Sequence, residues 1–400
     1  MKMKKSFVKL ICLCMALLMM IPSVEVSAAQ KKKSEEYASY QLIKVTDYGA
    51  DKKGKKDCSL AVESAIKAAM SNKVPNKKKG NVVYFPKGTY KISNEIAVRG
   101  AVTIVVENGT RINCESEIVL NMRSDKAVVD GGEWVGNKDA DQTIFRVYNQ
   151  KKLKFKNLTV KNAGIALHVS GGTATVNDCK IEQCTNRGIR LVNNSRVTLN
   201  SCNITRNGAG HLTETDKGDI GHGVTVNQSK LIANKTRIAY NYQCGISLVN
   251  ATAEVNECVL KDNYRHGIGT YQKCYVKAKN TQFVHNGYNP NSNTRYMGVS
   301  LLGGSEGTFE NCEFRKNNHA GVWLYDKNTK GVFTKCLFEK NNYTQLHIEG
   351  YAYKGGKVYV TLNNCTFKNA KYGILKTGRY SLKKKNVKFK NVETKYWDGV

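Results

Sequence analysis

One short pattern returns along this 400-residue chain about every 22–24 residues wherever no insertion intervenes, a period that marks a solenoid. It reads "CKIEQCTNRGIRL" from Cys179, "TRIAYNYQCGISL" from Thr236, "CVLKDNYRHGIGT" from Cys258, "CEFRKNNHAGVWL" from Cys312 and "CLFEKNNYTQLHI" from Cys336. Looser copies start at Leu158, Cys202, Thr281 and Cys365, giving nine rungs over about 158–377. Apolar positions alternate within a rung, as at Cys258 and Leu260 and again at Ile268, the period of short strands with one buried face. Runs this short and turn-rich do not make helices, so the chain is expected to be all-β, a parallel β-solenoid around one axial core.

Two columns of equivalent positions support this reading. Cys179, Cys202, Cys258, Cys312, Cys336 and Cys365 share one rung position, with Thr236 and Thr281 filling it elsewhere, as in a buried ladder of small side chains. Five residues later come Asn207, Asn241, Asn263, Asn286, Asn317 and Asn341. Asparagine tolerates the left-handed conformation of a tight bend and can bond to its neighbour in the stack, so these are read as turn ladders. Adjacent rungs lie about 4.8 Å apart, so distance alone does not exclude disulfides in the cysteine column.

A solenoid leaves core and strand edges open at its ends and needs caps. "DCSLAVESAIKAAM" (57–70) places Cys58, Ala61, Val62, Ala65, Ile66 and Ala69 on one helical face, which suits an N-terminal plug. "NVVYFPKGTYKI", "VTIVVENGTRI" and "KAVVDGGEWVGN" read as the first strands, and the last stretch, from Tyr380, as an irregular rung or cap. Residues 1–28, with a lysine-rich start, an apolar run from Leu10 to Ile21 and small residues at Ser27 and Ala28, read as a secretory signal peptide. Residues 29–40 then form a polar leader and 41–400 a single domain. No other stretch has the roughly 20 apolar residues of a membrane helix, so membrane insertion is not expected.

The formal charge is +31, and +28 once residues 1–28 are removed, which favours polyanionic partners. With export, those partners are expected to be acidic polysaccharide or an anionic cell-wall polymer, not nucleic acid. Of 13 cysteines, Cys12 and Cys14 lie in the signal; the odd number left cannot all pair within one chain. A capped solenoid needs no partner subunit, so a monomer is expected.

"VTDYGADKKGKKDCSLAVESAIKAA" followed by "NVVYFPKGTYKI" resembles the N-terminal signature of the pectate-lyase-like superfamily, which includes the polygalacturonases of glycoside hydrolase family 28. The resemblance implies a right-handed parallel β-helix. It leaves the reaction open, since that scaffold carries lyases, hydrolases, epimerases and non-catalytic proteins. "IGHGV" around His222 matches the Gly-His-Gly of the polygalacturonase pattern, but its carboxylate elements are missing: Arg187 stands where an aspartate would sit, and Ala163 on the rung before. Inverting hydrolysis needs two carboxylates about 6.5–9.5 Å apart. Only the insertion before His222 offers them, at Glu214, Asp216 and Asp219.

The residues before the rung glycines are Ala163, Arg187, His222, Cys244, His266, Met297, Ala320, Thr344 and Tyr372. Those two after it, including Arg190, Thr225, Ser247, Trp323 and His347, should point outward and line a groove, with Tyr271, Tyr325 and Glu349 beyond them. Insertions at 208–221 and 287–297 leave at the same turn and should bring His211, Asp219, Tyr288, Arg295 and Tyr296 to its side, near Arg265. A basic, aromatic trough suits a uronate chain, because guanidinium groups grip carboxylates and rings stack on sugar faces.

A uronan lyase needs a cation to neutralise the C5 carboxylate, a base for the C5 proton and an acid for the leaving oxygen. On that logic Arg187 or Arg190 is the clamp, His222 or His266 the base, and Tyr271 the donor, with Asp219 beside them. Arg265, Arg295, Tyr296, Trp323, Tyr325 and His347 are candidate substrate contacts. Calcium is a candidate cofactor held by Glu214, Asp216 or Asp219, although no recognisable calcium loop is present. The expected function is β-elimination on an acidic polysaccharide, the alternatives being a polygalacturonase-like hydrolase and a non-catalytic, wall-associated or glycan-binding protein.

Overall fold

The computed structural model describes residues 32–208, 220–288, 296–350 and 356–399. Short strands stack in three rows, all pairings parallel. One turn runs from Arg196–Asn200 in the first row through Asn203–Thr205 in the second to His222–Asn227 in the third. The chain then re-enters the first row at Lys230–Asn234, with Arg196 beside Lys230 and Asn200 beside Asn234. Among the described residues the first row holds fourteen strands, from Gln41–Lys44 to Tyr380–Lys385, more than the nine rungs legible as repeats. The segments before Leu158 stack as further turns even though they lack the cysteine and asparagine columns.

Alternation sets what is inside. Ile189 and Leu191 of the third row are buried while Arg190 between them is partly exposed, and one hydrophobic core runs from Ile43 to Ile374. Toward the C-terminal turns the second row fills with phenylalanines, whose rings stack from Phe283 through Phe314 and Phe338 to Phe367 at centroid distances of 5.1, 4.8 and 4.6 Å.

The asparagine column differs from expectation in its backbone. The left-handed residue of that corner is the one before it: Arg206, Tyr240, Asp262, His285, Lys316 and Lys340, with φ between 52 and 57°. Each asparagine instead turns its side chain inward. The amides of Asn207, Asn241, Asn263, Asn286, Asn317 and Asn341 each bond to the next, and Gln345 closes the run. This ladder explains the recurrent glycine: a Cβ on Gly223 would lie 2.7 Å from the Gly245 carbonyl and 2.8 Å from Asn241 Nδ2. In the other column the thiols are buried and unpaired, as at Cys258, whose Sγ donates to the Asn256 carbonyl at 3.2 Å.

Helix α1 (Lys33–Glu36) and helix α2 (Ser59–Ser71) belong to the N-terminal turns. In α2, Val62, Ala65 and Ile66 are buried in the core, as its periodicity predicts. Residues 33–40, read from sequence as part of a polar leader, are strapped onto the first row. The Glu107 carboxylate accepts the N–H groups of Lys33 and Ser34 at 2.8 and 3.0 Å, and the fully buried Asp130 accepts the Tyr37 hydroxyl at 2.8 Å and pairs with Lys33 at 2.9 Å. At the other end no described helix covers the stack. The final strands form regular turns with exposed lysines, including Lys383, Lys384, Lys385, Lys388 and Lys390, charges of the kind that disfavour edge-to-edge pairing.

Candidate functional site

The outer face of the third row is where the predicted residues lie. Strand register aligns Asn121, Arg146, His168, Arg190, Thr225, Ser247, Gly269, Ser300, Trp323 and His347 in one column. Its chemistry changes along the axis: after Asn121 come three basic residues, then four small residues, then aromatics. The small residues dip the floor, and Tyr271 lies across the dip, its hydroxyl 3.5 Å from where a Gly269 Cβ would stand.

Along one edge runs the column before the glycines, with Arg187 beside His222. Arg187 is buried, and donates through Nε to Asn186 Oδ1 at 2.9 Å and through Nη1 to Thr225 Oγ1 at 3.4 Å. His222 is 3% exposed, and its Nδ1 accepts the Cys244 backbone N–H at 3.2 Å. His266 repeats this: its Nδ1 accepts the Met297 N–H at 3.2 Å. In a neutral imidazole with Nδ1 so engaged the proton sits on Nε2, so each ring carries a donor there and not the proton acceptor expected from sequence. Burial and the Arg265 charge push His266 further down, to a pKa of about 3.

Cys244, given no role from sequence, sits between the two histidines, and its Sγ lies 3.8 Å from the Tyr271 hydroxyl. Burial works against its thiolate, but the His222 side chain outweighs it and draws the thiol pKa below the ordinary value. Tyr296 packs edge-on to His266 at 5.2 Å and under the Arg265 guanidinium at 5.3 Å. The structure therefore gathers Arg187, His222, His266, Tyr271, Arg265 and Tyr296 around the dip, with Arg190 on the turn before it.

Trp323, Tyr325 and His347 form a second group toward the C-terminal turns. Trp323 contacts Tyr325 at 5.1 Å and stacks on His347 at 6.0 Å, while its Nε1 donates to Glu349 at 3.0 Å. Burial and His319 lower His347 to about 4. His211, Glu214, Asp216, Asp219 and Arg295 lie outside the described residues. Among the described residues no three His, Cys, Asp or Glu side chains converge as a metal site.

One sequence alignment is corrected by the register. Ile165, not Ala163, pairs with Arg187, and His168 pairs with Arg190. Sequence reasoning therefore passed over Arg146 and His168. Only a pairing traced back from Arg190, where His168 lies 22 residues earlier, could have found them.

The model of the right-handed beta helix region matches residues 93–283 and 222–392. The chain belongs to this right-handed β-helix family. A pectate lyase-like model, that of rhamnogalacturonase A and epimerases, matches residues 42–117. No curated protein matches in sequence. Among solved structures, the catalytic unit of a GH87 alpha-1,3-glucanase from Streptomyces thermodiastaticus aligns with a TM-score of 0.65 at 15% identity, covering 89% of this chain and 70% of that one. The Dettilon tailspike protein gives 0.59 at 12% identity, with 87% and 68% covered. PfbA, a surface adhesin of Streptococcus pneumoniae, gives 0.52 at 14% identity, with 89% and 91% covered. At these identities the likeness is one of fold.

Proposed function

We propose that this β-helix protein cleaves an acidic, uronate-containing polysaccharide outside the cell by β-elimination. One observation carries the reading: the outer column from Asn121 to His347 contains cations, small residues and aromatics but no carboxylate. Paired carboxylates define hydrolysis, whereas elimination needs a cation at the substrate carboxylate and a proton carrier. Arg187, fixed by Asn186 and Thr225, is the clamp on the C5 carboxylate. The Nε2–H of His222 adds a donor where the carboxylate gains charge. Tyr271, over the small-residue dip, carries the proton: its phenolate takes hydrogen from C5, the C5–H electrons form the C4–C5 double bond, and the C4–O bond breaks. The phenol then returns the proton to the departing oxygen. The alpha-1,3-glucanase among the structural neighbours is compatible with a glycan partner.

Purified protein lacking residues 1–28 is incubated with polygalacturonate, alginate and glycosaminoglycans, with and without calcium, while unsaturated-uronate absorbance and reducing ends are followed together. Both signals should rise, and Tyr271→Phe should abolish them. Reducing ends without absorbance refute elimination in favour of a hydrolase using the carboxylates at 214–219. Binding without products refutes catalysis altogether.

A further inference from the structure

The cationic end of the outer column has no part in that cleavage. Arg146, His168 and Arg190 occupy three successive turns in direct register, and adjacent turns lie about 4.8 Å apart. The two guanidinium charges, two turns apart across His168, repel each other, and a fold normally sets carboxylates beside such charges. Among the described residues neither Arg146 nor Arg190 has an ion pair with one, whereas lysines of the first row do, as where Lys230 meets Glu254 and Lys330 meets Glu306. His168 is held between the two guanidinium groups with its Nε2 buried and without a hydrogen-bond partner. Burial and the charges of Arg190, Arg146 and Arg187 push its pKa down to about 4, so the ring is neutral at pH 7. An unpartnered buried polar atom is costly to a fold.

Beside Arg146 opens a cleft of about 300 Å³, lined by Glu95, Asn121, Arg123, Arg146, Tyr148 and Gln150. Its single carboxylate, Glu95, is engaged by Asn121 Nδ2 at 2.7 Å and by Arg123 at 3.4 Å. Tyr148, which lines this cleft, is 58% exposed. Guanidinium groups, an imidazole that can donate and an exposed aromatic ring together match a sugar that carries an anion.

We propose that Arg146, His168 and Arg190 form an anion subsite on the N-terminal side of the cleavage cluster, holding the carboxylate or sulfate substituents of consecutive sugars, with Tyr148 against a sugar face. It deepens the acidic-polysaccharide reading and rests on it for the polymer, but it concerns binding alone. Such a subsite makes the enzyme grip a stretch of charged units along the solenoid axis, and discriminates against neutral or esterified chains.

The test is calorimetric titration of the protein, and of its Arg146→Gln, His168→Asn and Tyr148→Ala variants, with tetragalacturonate, its methyl-esterified form and a sulfated tetrasaccharide. Thermal melting first checks that each variant is folded; Tyr148 is exposed, and the Arg146 exchange keeps a polar side chain. Arg146→Gln should weaken an anionic tetramer about tenfold or more and leave the esterified one within about twofold. The stronger of the galacturonate and sulfate responses names the source of the anion. Arg146→Gln binding both anionic tetramers as the wild type does, or a wild type binding neither, overturns the subsite. Loss of binding in Arg146→Gln sustains it even if Tyr271→Phe leaves products unchanged, a result that would sink only the elimination reading.

Discussion

Replacing Asn263 by alanine probes what holds the turns in register. Its side chain is fully buried. Oδ1 accepts the Asn241 backbone N–H at 3.2 Å and Asn241 Nδ2 at 2.9 Å, while Nδ2 donates to the Ile238 carbonyl at 3.2 Å and to Asn286 Oδ1 at 2.9 Å. Truncation strands a backbone donor, a backbone acceptor and two amide faces where water cannot replace the lost partner. At about 1–3 kcal/mol for each unsatisfied group, the loss should reach about 4 kcal/mol, a large part of the 5–15 kcal/mol typical of a domain. Asn342→Ala is the control, since that side chain is exposed and only bonds Asn318 at 3.4 Å; it should change stability by less than about 0.5 kcal/mol. Urea unfolding gives the midpoints. Because a solenoid can open turn by turn, hydrogen exchange at the Asn241 amide reports the local effect. If Asn263→Ala and Asn342→Ala unfold at the same urea concentration, the ladder does not stabilise the stack as argued.

Gly245→Ala should destabilise by about 2 kcal/mol or more, because the new Cβ would stand 2.7 Å from the Gly267 carbonyl and 2.9 Å from Asn263 Nδ2; thermal melting checks it. The strap at residues 33–40 should detach in acid. Burial disfavours the Glu107 carboxylate, but N–H bonds from Ser34, Lys33 and Asn108 and the Tyr84 hydroxyl outweigh it and lower its pKa from 4.5 to about 2. A depressed folded-state value stabilises fully above pH 4.5 and is lost as pH falls toward 2, so amide exchange at Tyr37 should accelerate across that window. Glu107→Gln should reduce the dependence to the part carried by Asp130, whose carboxyl, against burial, the Asn157, Lys33 and Tyr37 hydrogen bonds hold below its ordinary value. The cysteines from Cys58 to Cys365, buried and unpaired, should resist a thiol reagent in the native protein and all react in denaturant; fast native labelling would contradict the buried ladder.

Which features could be read beforehand follows from where their cause lies. The cysteine and asparagine columns were legible because each recurs at a fixed offset in its own turn. The inward turn of those asparagines was not, since the same residue type serves a left-handed bend or a buried amide stack, and only the neighbouring turn chooses. His222 was singled out by a local motif, but its glycine answers to Asn241 and Gly245 on the next turn. Its tautomer likewise depends on the Cys244 N–H, 22 residues on. The strap was misjudged because Lys33 and Glu36 look like solvated charge until Asp130 and Lys156 are seen beneath them.

The sequence by itself determined the architecture, since a period near 22 residues with alternating apolar positions has one economical solution: parallel strands that bury the same face turn after turn. It determined the basic character of the surface for the same reason, charge being additive. Only the tertiary structure decided the lateral neighbours. A slip of two residues keeps every inward side chain inward, so alternation cannot distinguish Ala163 from Ile165 opposite Arg187. Hydrogen bonding between turns makes that choice, and with it sets His168 between Arg146 and Arg190.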